Sequence, residues 1–469
     1  MRSLLTLICL VLLTFPASPA LAQTASPEPF KASSPLTLEL KSARWFDGQA
    51  FQKATLYVVD GKFTRKKPRK VHRSMDLHSQ FLVPPLAEAH NHNLQNAWGL
   101  EHYGQRYLQD GVFYSAQLCA DPAGAEAARS QLNREDSVDT LFASACITSS
   151  DGHPLAQLPP AARKDDSAVL VMDSPSEAER KWPKVAERRP DLIKIILSNH
   201  ERPELRARPE LNGRLGLNLE TATTVVRLAH RDGLRVVAHV DSPADFDAAV
   251  KIGVDLIADL PGFFNSLGED PERLALSPEA AARAAQAKVG VITATAATAL
   301  FPTTPAQLEK LRSVQRRNLE RLKAAGVPLL VGSDVFTGTA QAEIRQLAEF
   351  GVFSPAELLK MATMDTAQAL YPRRRLGCFE EGCEASFILL GSDPLQDPKS
   401  IATPLLRVKQ GRILSQVEGL ADGNDQPGIS TDAPAARKKP AAKPAPKEAT
   451  PAKAKPAAKV VAPASARKS

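Results

Sequence analysis

The chain has 469 residues, of which 43% are hydrophobic and 24% charged, so it is long enough for one large domain or two ordinary ones. These proportions exclude a wholly disordered chain and a protein with many membrane spans. The formal net charge is +7, but residues 431–469 alone carry ten Lys or Arg and two acidic residues, so the rest is nearly neutral and a nucleic-acid-binding fold is not expected.

Residues 1–22 have the pattern of a secretory signal peptide. Arg2 precedes an apolar run from Leu4 to Phe15, and Ala20-Leu21-Ala22 supplies the small-residue cleavage pattern. The run is short for a bilayer span, although an uncleaved anchor is the alternative. We therefore expect a periplasmic or secreted protein whose remaining cysteines meet an oxidising compartment, namely Cys119, Cys146, Cys378 and Cys383.

The two flanks of the central region, residues 36–80 and 375–417, consist of short alternating segments separated by turns. This pattern predicts β-hairpins. Because the flanks bracket the central region, we expect them to pair into one small β-sandwich domain.

Between the flanks, short apolar runs rich in branched residues alternate with longer segments of helical period. Apolar strands joined by helices are typical of a parallel sheet that is covered on its faces. Eight such repeats fit a (β/α)8 TIM barrel, an α/β fold, over residues 81–374, with an open doubly wound sheet as the alternative. The eight strand-like runs are residues 81–90, 111–119, 140–148, 191–197, 235–240, 255–260, 290–296 and 327–334.

The last segment, residues 431–469, contains 14 Ala, 7 Pro and ten Lys or Arg among its 39 residues. Such a composition cannot bury enough apolar area to offset the entropy of ordering it, so it predicts a disordered basic tail. The tail is either a solvated extension without a partner or a polycation that contacts anionic surfaces of the cell envelope.

Ionisable side chains recur at the carboxyl ends of the predicted barrel strands, where an unpaired charge is costly to bury. In a barrel these ends converge at one face, which is where active sites form. Imidazole, carboxylate and a modified lysine are ligands that suit a divalent metal of zinc type. The six candidates are His90, His92, Lys194, His239, Asp259 and Asp334.

At these strand ends the sequence resembles the amidohydrolase superfamily, metal-dependent hydrolases of the imidazolonepropionase-like type. FLVPPLAEAHNHN resembles the His-x-His motif of the first strand, and DLIKI resembles the strand whose lysine is carboxylated to bridge two metals. VVAHVDSPADFDAAVKIGVDLI resembles the fifth-strand histidine segment, and VGSDVFTGTAQAEIRQL the eighth-strand aspartate segment. The motifs occur in the family's order across residues 36–417.

One position departs from the family pattern. The sixth strand normally presents a histidine, whereas DLIADLPGF offers Asp259. A carboxylate can ligate zinc or manganese, and its charge would make bound water less acidic. The alternatives are that Asp259 accepts a backbone hydrogen bond in the LPGF turn, that only one metal binds, or that the site has lost catalysis.

The resemblance implies hydrolysis of a non-peptide C–N bond of a small molecule, such as a cyclic amide or an acyl-amino acid, with one or two divalent ions, expected to be zinc. Asp334 would take the proton of the attacking water and pass it to the leaving nitrogen. Lys194 would bridge the ions as a carbamate, and a salt-bridged core lysine is the alternative. A different class of function is a catalytically impaired barrel that binds the envelope through its basic tail.

Two further residues are candidates for substrate contact. His153 lies in a Gly-His-Pro segment that faces substrate in related enzymes, although a solvated loop histidine has the same sequence. Tyr103 follows the first predicted strand closely enough to shape a pocket.

Cys378 and Cys383 flank the short segment FEEG within the carboxyl-terminal flank. A turn between two strands brings such sulfurs within bonding reach, and export supplies an oxidising compartment. We therefore expect a disulfide between these two cysteines, with two free thiols as the alternative.

Overall fold

The structure is a computed structural model that describes residues 35–143, 146–159, 163, 166, 169–265 and 267–417. The expected signal peptide (residues 1–22) and basic tail (residues 431–469) lie outside the described residues. Within the described part of the chain, no helix combines the length and the apolar composition that crossing a membrane requires.

Five strands make up the amino-terminal flank: β1 (Leu38–Phe46), β2 (Phe51–Val59), β3 (Lys62–Thr64), β4 (Arg73–Asp76) and β5 (Phe81–Val83). β1 and β2 form an antiparallel hairpin. Asp47 shapes its turn, because Asp47 Oδ1 accepts hydrogen bonds from the backbone N–H groups of Gln49 and Ala50, each at 2.8 Å. β4 and β5 both pair in parallel with β1.

The central region holds ten strands, all paired in parallel. Two of them, the strands over Val112–Leu118 and Leu192–Leu197, are buried at every residue, as in strands that are covered on both faces. They are β6 (Leu86–Asn91), β7 (Val112–Leu118), β8 (Asp139–Ala143), β9 (Cys146–Thr148), β10 (Val169–Val171), β11 (Leu192–Leu197), β12 (Arg235–Val240), β13 (Leu256–Ile257), β14 (Gly290–Ile292) and β15 (Leu329–Leu330).

These strands form a three-stranded sheet, β6-β7-β8, and a seven-stranded sheet, β10-β9-β11-β12-β13-β14-β15. Backbone hydrogen bonds join the two sheets on both sides of the three-stranded one. Asp191 N–H, just before β11, donates to Phe142 O in β8, and Ala89 N–H in β6 donates to Val331 O just after β15, both at 2.9 Å. The predicted mixed α/β fold with a parallel sheet is confirmed.

Helices occupy most connections between the central strands. α6 shows how the sequence sets their ends: Ser242 Oγ accepts from Asp245 N–H and the Asp245 carboxylate accepts from Ser242 N–H, each at 3.0 Å. Gly253 ends α6 at φ +84°, a conformation that favours glycine. The helices are α1 (Ala97–Gly99), α2 (Gln105–Gln109), α3 (Pro122–Arg129), α4 (Pro175–Glu187), α5 (Leu219–Arg231), α6 (Pro243–Ile252), α7 (Pro278–Gln286), α8 (Pro305–Ala325), α9 (Ala340–Phe350), α10 (Pro355–Lys360) and α11 (Thr366–Leu370).

The carboxyl-terminal flank adds β16 (Phe387–Leu390), β17 (Leu406–Lys409) and β18 (Arg412–Gln416). The two flanks share one eight-stranded sheet of order β18-β17-β16-β5-β1-β2-β3, with β4 paired to β1. This sheet has an apolar core of its own, which includes Leu40, Phe63 and Phe387.

The predicted strand over residues 81–90 is in fact two strands. β5 pairs with β1 and β16 of the flanking sheet, so the first central strand begins at Leu86 instead of residue 81. Pro84 and Pro85 separate the two strands, because proline has no N–H to donate to a ladder.

The last three central strands are shorter than the sequence predicts. β13, β14 and β15 have two or three residues each, although the apolar runs have six to eight. Ala294 and Asp334, which follow two of these strands, have φ values of +48° and +51°. Such backbone conformations lie outside the β region, so these apolar runs do not continue as regular strands to their last residues.

The described residues contain two disulfides. Cys378 and Cys383, with Cα atoms 5.8 Å apart, are bonded as predicted. Cys119 and Cys146 form a second disulfide, which their spacing of 27 residues did not indicate; their Cα atoms are 5.0 Å apart.

A buried lysine ties the flanking sheet to the central region. Lys409 in β17 is fully buried, and its Nζ donates to Asp139 Oδ1 at the start of β8 (2.7 Å) and to the carbonyls of Arg134 (2.7 Å) and Ser137 (2.6 Å). Arg374 donates to the other oxygen of Asp139 at 2.6 Å. The anchor therefore lies at the amino end of β8.

Candidate metal centre

His90 lies in β6 and His92 directly follows this strand, so strand alternation sets the direction of both side chains. His90 and His92 are two residues apart, so both point to the same side, and their Nε2 atoms lie 3.2 Å apart. His90 Nδ1 donates to Ala258 O at 3.0 Å. Because this bond places the proton on Nδ1, the lone pair of His90 Nε2 is free to bind a metal.

Asp334 reaches the same point from the chain that follows β15. Its N–H donates to His90 O at 2.9 Å. Asp334 Oδ1 lies 3.2 Å from His92 Nε2 and 3.5 Å from His90 Nε2. One ligand atom from each of the three residues falls within 4.8 Å of the others, which suits coordination of one ion.

Asp259 connects this group to the remaining candidates. Its Oδ1 lies 3.3 Å from His90 Nδ1, and its Oδ2 lies 2.7 Å from His239 Nδ1. Lys194 Nζ, which points inward from the middle of β11, is 3.9 Å from the same Oδ2. The structure therefore brings together all six residues predicted as ligands.

The donor set fits a divalent cation. Asp259 is fully buried, yet neither of its carboxylate oxygens accepts a hydrogen bond of acceptable geometry within the described residues, and the same holds for Asp334 Oδ1. The groups nearest to these three oxygens are imidazole nitrogens and Lys194 Nζ, at 2.7–3.9 Å, and a divalent cation bound here would replace their protons as the balancing positive charge. The alternative role of Asp259, accepting a backbone hydrogen bond in the turn that follows, is not what the described residues show.

The ionisation of the site reflects burial and neighbouring charges. Burial lowers the pKa of Lys194, although Asp259 and Asp334 oppose this, and a lowered pKa favours the neutral amine. Burial also lowers the pKa of His92. Burial acts in the same direction on His239, but the carboxylates of Asp259 and Asp241 outweigh it and raise the pKa of His239 to about 10.

Of the two residues predicted to contact substrate, only His153 lies beside the cluster. Its ring stacks on that of His239, with centroids 5.1 Å apart and planes 16° apart, and burial lowers the pKa of His153 to about 3. Tyr103 packs instead near Trp98, with ring centroids 6.0 Å apart, and is partly buried against the main core.

Two carboxylates that support the cluster were not predicted. Glu88, two residues before His90, is fully buried and accepts from Ser333 N–H (2.6 Å) and Ser333 Oγ–H (2.9 Å). Burial raises the pKa of Glu88 to about 8. Asp241 lies 3.1 Å from His239 Nε2 and accepts from Ser198 Oγ–H. Each is two residues from a predicted ligand on the same strand face, so alternation was the available signal.

The loops after β11, β12 and β13 enclose a cavity of about 210 Å³ beside the cluster. Asp241 belongs to its lining and also contacts His239, so the cavity adjoins the candidate ligands. Its two arginines, Arg202 and Arg273, both pair with Glu269, at 2.6 Å and 3.3 Å.

The fold is similar to that of several solved structures. The A. niger ochratoxinase has a TM-score of 0.65 at 17% identity, covering 82% of this chain and 96% of that one. Molinate hydrolase has a TM-score of 0.65 at 18% identity over 81% and 95% of the two chains. A putative prolidase from Bifidobacterium longum has a TM-score of 0.64 at 19% identity over 81% and 96%. Identities this low show the fold alone.

Comparison of the amino-acid sequence with family models identifies the family of the chain. No match is found among curated proteins. The model of the amidohydrolase family matches residues 173–425, which is more than half of the chain and includes Lys194, His239, Asp259 and Asp334. The chain belongs to the amidohydrolase family.

Proposed function

We propose that this protein is an exported, metal-dependent amidohydrolase that hydrolyses a non-peptide C–N bond of a small molecule. The observation that carries the proposal is the cluster of six ligand-type side chains around three buried carboxylate oxygens that accept no hydrogen bond within the described residues. The family typically binds divalent metals. Similarity to a molinate hydrolase and to an ochratoxinase favours a small-molecule substrate. Similarity to a putative prolidase is the reason to include dipeptides among the substrates tested.

The cluster would hold one or two divalent ions, and we expect zinc because imidazole and carboxylate ligands suit it. His90, His92 and Asp334 would hold one ion, and His239 and Asp259 would hold the other. Lys194, whose pKa burial lowers, would bridge them as a carbamate. A bound ion of this kind polarises a substrate carbonyl and acidifies water.

The protein's own groups would then move the proton. Asp334 Oδ1 accepts it from the attacking water as the new C–O bond forms, and delivers it to the leaving nitrogen as the C–N bond breaks. The backbone bond from Asp334 N–H to His90 O holds the carboxylate beside the histidine pair during both steps. His153, stacked on His239, would lie against the substrate as a neutral imidazole, because burial lowers its pKa to about 3.

At the level of the fold, we propose that β6–β9 and β11–β15 form a closed barrel. The hydrogen bonds from Asp191 to Phe142 and from Ala89 to Val331 support closure, since they join the two edge strands of the three-stranded sheet, β8 and β6, to the chain beside β11 and after β15. The two flanks, residues 36–80 and 375–417, would fold together with β5 as a β-sandwich around their own core. Residues 1–22 would direct export to the periplasm or beyond.

Elemental analysis tests the metal. We expect one or two equivalents of divalent metal in protein purified without chelator, and a large loss in His90→Ala and His239→Ala. His78→Ala is the matched control, because the His78 side chain is 70% exposed in the flanking sheet region. Unchanged metal content in both site variants would refute the ligand assignment. A panel of lactam, acyl-amino acid, dipeptide and ester substrates would then identify the bond that is cleaved.

The second candidate, an envelope-binding protein without catalysis, rests on the ten Lys and Arg of residues 431–469. Deleting these residues separates the two functions. An enzyme keeps its turnover after the deletion. An envelope-binding protein loses a salt-sensitive adhesion after the deletion, and even the undeleted protein hydrolyses none of the substrates.

A further inference from the structure

An exposed aromatic ring lies directly on the candidate metal centre. Phe336, two residues after Asp334, is 53% exposed, although a large apolar side chain is normally stabilised by burial. Its ring stacks on that of His92, with centroids 5.5 Å apart and planes 17° apart. One face of the phenyl group therefore covers a candidate ligand, while the residue as a whole stays more than half exposed.

The exposure of Phe336 is imposed by the loop that carries it. Asn93, which is only 3% exposed, donates from Nδ2 to Val335 O (3.2 Å) and to Gly338 O (2.8 Å), the carbonyls on either side of Phe336. Thr339 Oγ1 then donates to Asp110 Oδ2 at 2.7 Å. These bonds hold the segment that carries Phe336 against the chain after β6 and against the end of α2, in the position that exposes the ring.

A second aromatic group borders the other side of the cluster. Phe263 meets the ring of His239 edge-on, with centroids 5.5 Å apart. Phe301 packs against both Phe263, at 6.0 Å, and Phe264, at 4.2 Å. Aromatic rings thus lie against His92 and against His239, the two ends of the candidate centre.

We infer that Phe336 is a stacking platform for a flat apolar group attached to the carbonyl that is cleaved, so the substrate class is aromatic or similarly planar amides. The inference rests on the proposed function, because it takes the centre to be the place where the carbonyl binds. Aromatic rings stack on one another in offset or edge-on geometry, and a solvent-facing phenyl group already held in place needs no rearrangement to accept such a partner. Apolar surface that is exposed at a reaction centre is typical of a ligand-binding site.

The test compares two metal-chelating probes that differ only beyond the chelating group. Benzohydroxamate carries a phenyl ring and acetohydroxamate carries a methyl group. Their affinities for the zinc-loaded, full-length protein would be measured by isothermal titration calorimetry. We expect benzohydroxamate to bind about tenfold more tightly, in line with stacking and apolar burial.

Variants assign this preference to the ring. Phe336→Ala should reduce the preference for benzohydroxamate to about twofold or less, whereas Phe336→Leu, which keeps apolar area without a flat face, should keep an intermediate preference. The matched control is Phe353→Ala, because Phe353 is half-buried after α9 and packs against Lys323. It should leave both affinities unchanged.

The outcomes separate this inference from the proposed function. Equal affinities for the two probes, or an unchanged preference in Phe336→Ala, would overturn the platform while leaving the metal centre intact. Failure of both probes to bind the zinc-loaded protein would overturn the proposed function and the platform together. Self-association that Phe336→Ala abolishes without altering the preference would assign the ring to contact with a second copy of the chain, and would also overturn the inference.

Discussion

Both carboxylate oxygens of Asp259 lie among positive or protonatable groups: His90 Nδ1 at 3.3 Å, His239 Nδ1 at 2.7 Å and Lys194 Nζ at 3.9 Å. Although burial opposes ionisation, His90 and Lys194 help to hold the pKa of Asp259 well below its usual range. A permanently charged carboxylate at this position contributes negative charge that a neutral imidazole would not.

Asp259→Asn should weaken metal binding by at least about tenfold, because an amide oxygen is a poorer ligand than a charged carboxylate of the same shape. Metal titration of the apoprotein measures the effect. Asp255→Asn is the control, since the Asp255 carboxylate pairs with His230 at 2.9 Å and accepts from Val236 N–H. Metal affinity that stays at the parent value, with only thermal stability lowered, would show that Asp259 is structural.

His200 provides a pH-dependent contribution to stability away from the candidate ligands. Its Nδ1 lies 2.8 Å from Asp245 Oδ1, and this hydrogen bond raises the pKa of His200 above its usual value. Asp245 also accepts from the N–H groups of Asn199 and Ser242, and Glu201 lies 3.6 Å from His200. Since the folded state holds the proton more tightly than the unfolded state, the stabilisation is present below about pH 6.5 and is lost as pH rises through the folded pKa.

Replacing His200 with Asn keeps a neutral donor and removes the titration. We expect His200→Asn to be about 1 kcal/mol less stable than the parent at pH 6, after allowance for solvent screening, and nearly equal to it at pH 9. Urea denaturation at both pH values measures the difference. A stability gap that is the same at the two pH values would contradict this account.

At the scale of elements, Glu88 couples the first central strand to the chain after the last one. Its carboxylate accepts both the N–H and the Oγ–H of Ser333, a residue 245 positions away. Ser333 immediately precedes Asp334, so this contact fixes the position of the backbone from which the Asp334 side chain extends. Glu88 is therefore a positioning residue for the site.

A double-mutant cycle with Glu88→Gln and Ser333→Ala should give a coupling energy of about 1–2 kcal/mol, because each buried partner is left partly unpaired when the other is lost. Chemical denaturation supplies the four free energies of unfolding. Metal affinity should fall in both single variants, because the backbone at Asp334 is no longer held in place through Ser333. Additive losses, with no coupling, would mean that the two residues act independently.

The order of the elements followed from the sequence more closely than their ends did. Apolar runs placed β7, β11 and β12 to within a residue or so, because their pattern is continuous and buried. The split at Pro84 and Pro85 needed the identity of the pairing partners, which are β1 and β16. A run of apolar letters cannot show that neighbouring residues pair with strands from opposite ends of the chain.

For the site, strand-end position indicated five of the six ligand candidates, since convergence follows from parallel topology, whereas Lys194 lies inside β11 and its role was implied by the family resemblance. Asp241 and Glu88 could have been found by extending the two-residue alternation from His239 and His90. Phe336 could not, because its exposure depends on hydrogen bonds from Asn93 to a loop more than 240 residues away. Contacts of such separation leave no local pattern.

At the scale of the whole molecule, Lys409→Met should lower the free energy of unfolding by about 3 kcal/mol, because Asp139 is 5% exposed and would lose one of the two charged partners that the described residues give it, keeping Arg374. The carbonyls of Arg134 and Ser137 would also lose their donor. Lys53→Met, on an exposed position of β2, is the control. A loss as small as that of the control would show that the flanking sheet does not depend on this anchor.

The anchor at Asp139 and the candidate metal centre occupy opposite ends of the central strands. Substitutions at the metal centre and substitutions at the anchor should therefore affect different properties of the protein. A library that randomises Phe336 and Phe301 samples new substrates on a scaffold whose stability is set elsewhere, so many of its members should fold. Because of the same separation, substitutions around Lys409 should leave the reaction at the metal centre unchanged and lower the amount of folded protein. A natural mutation there would reduce the abundance of the protein without changing the activity of each folded molecule.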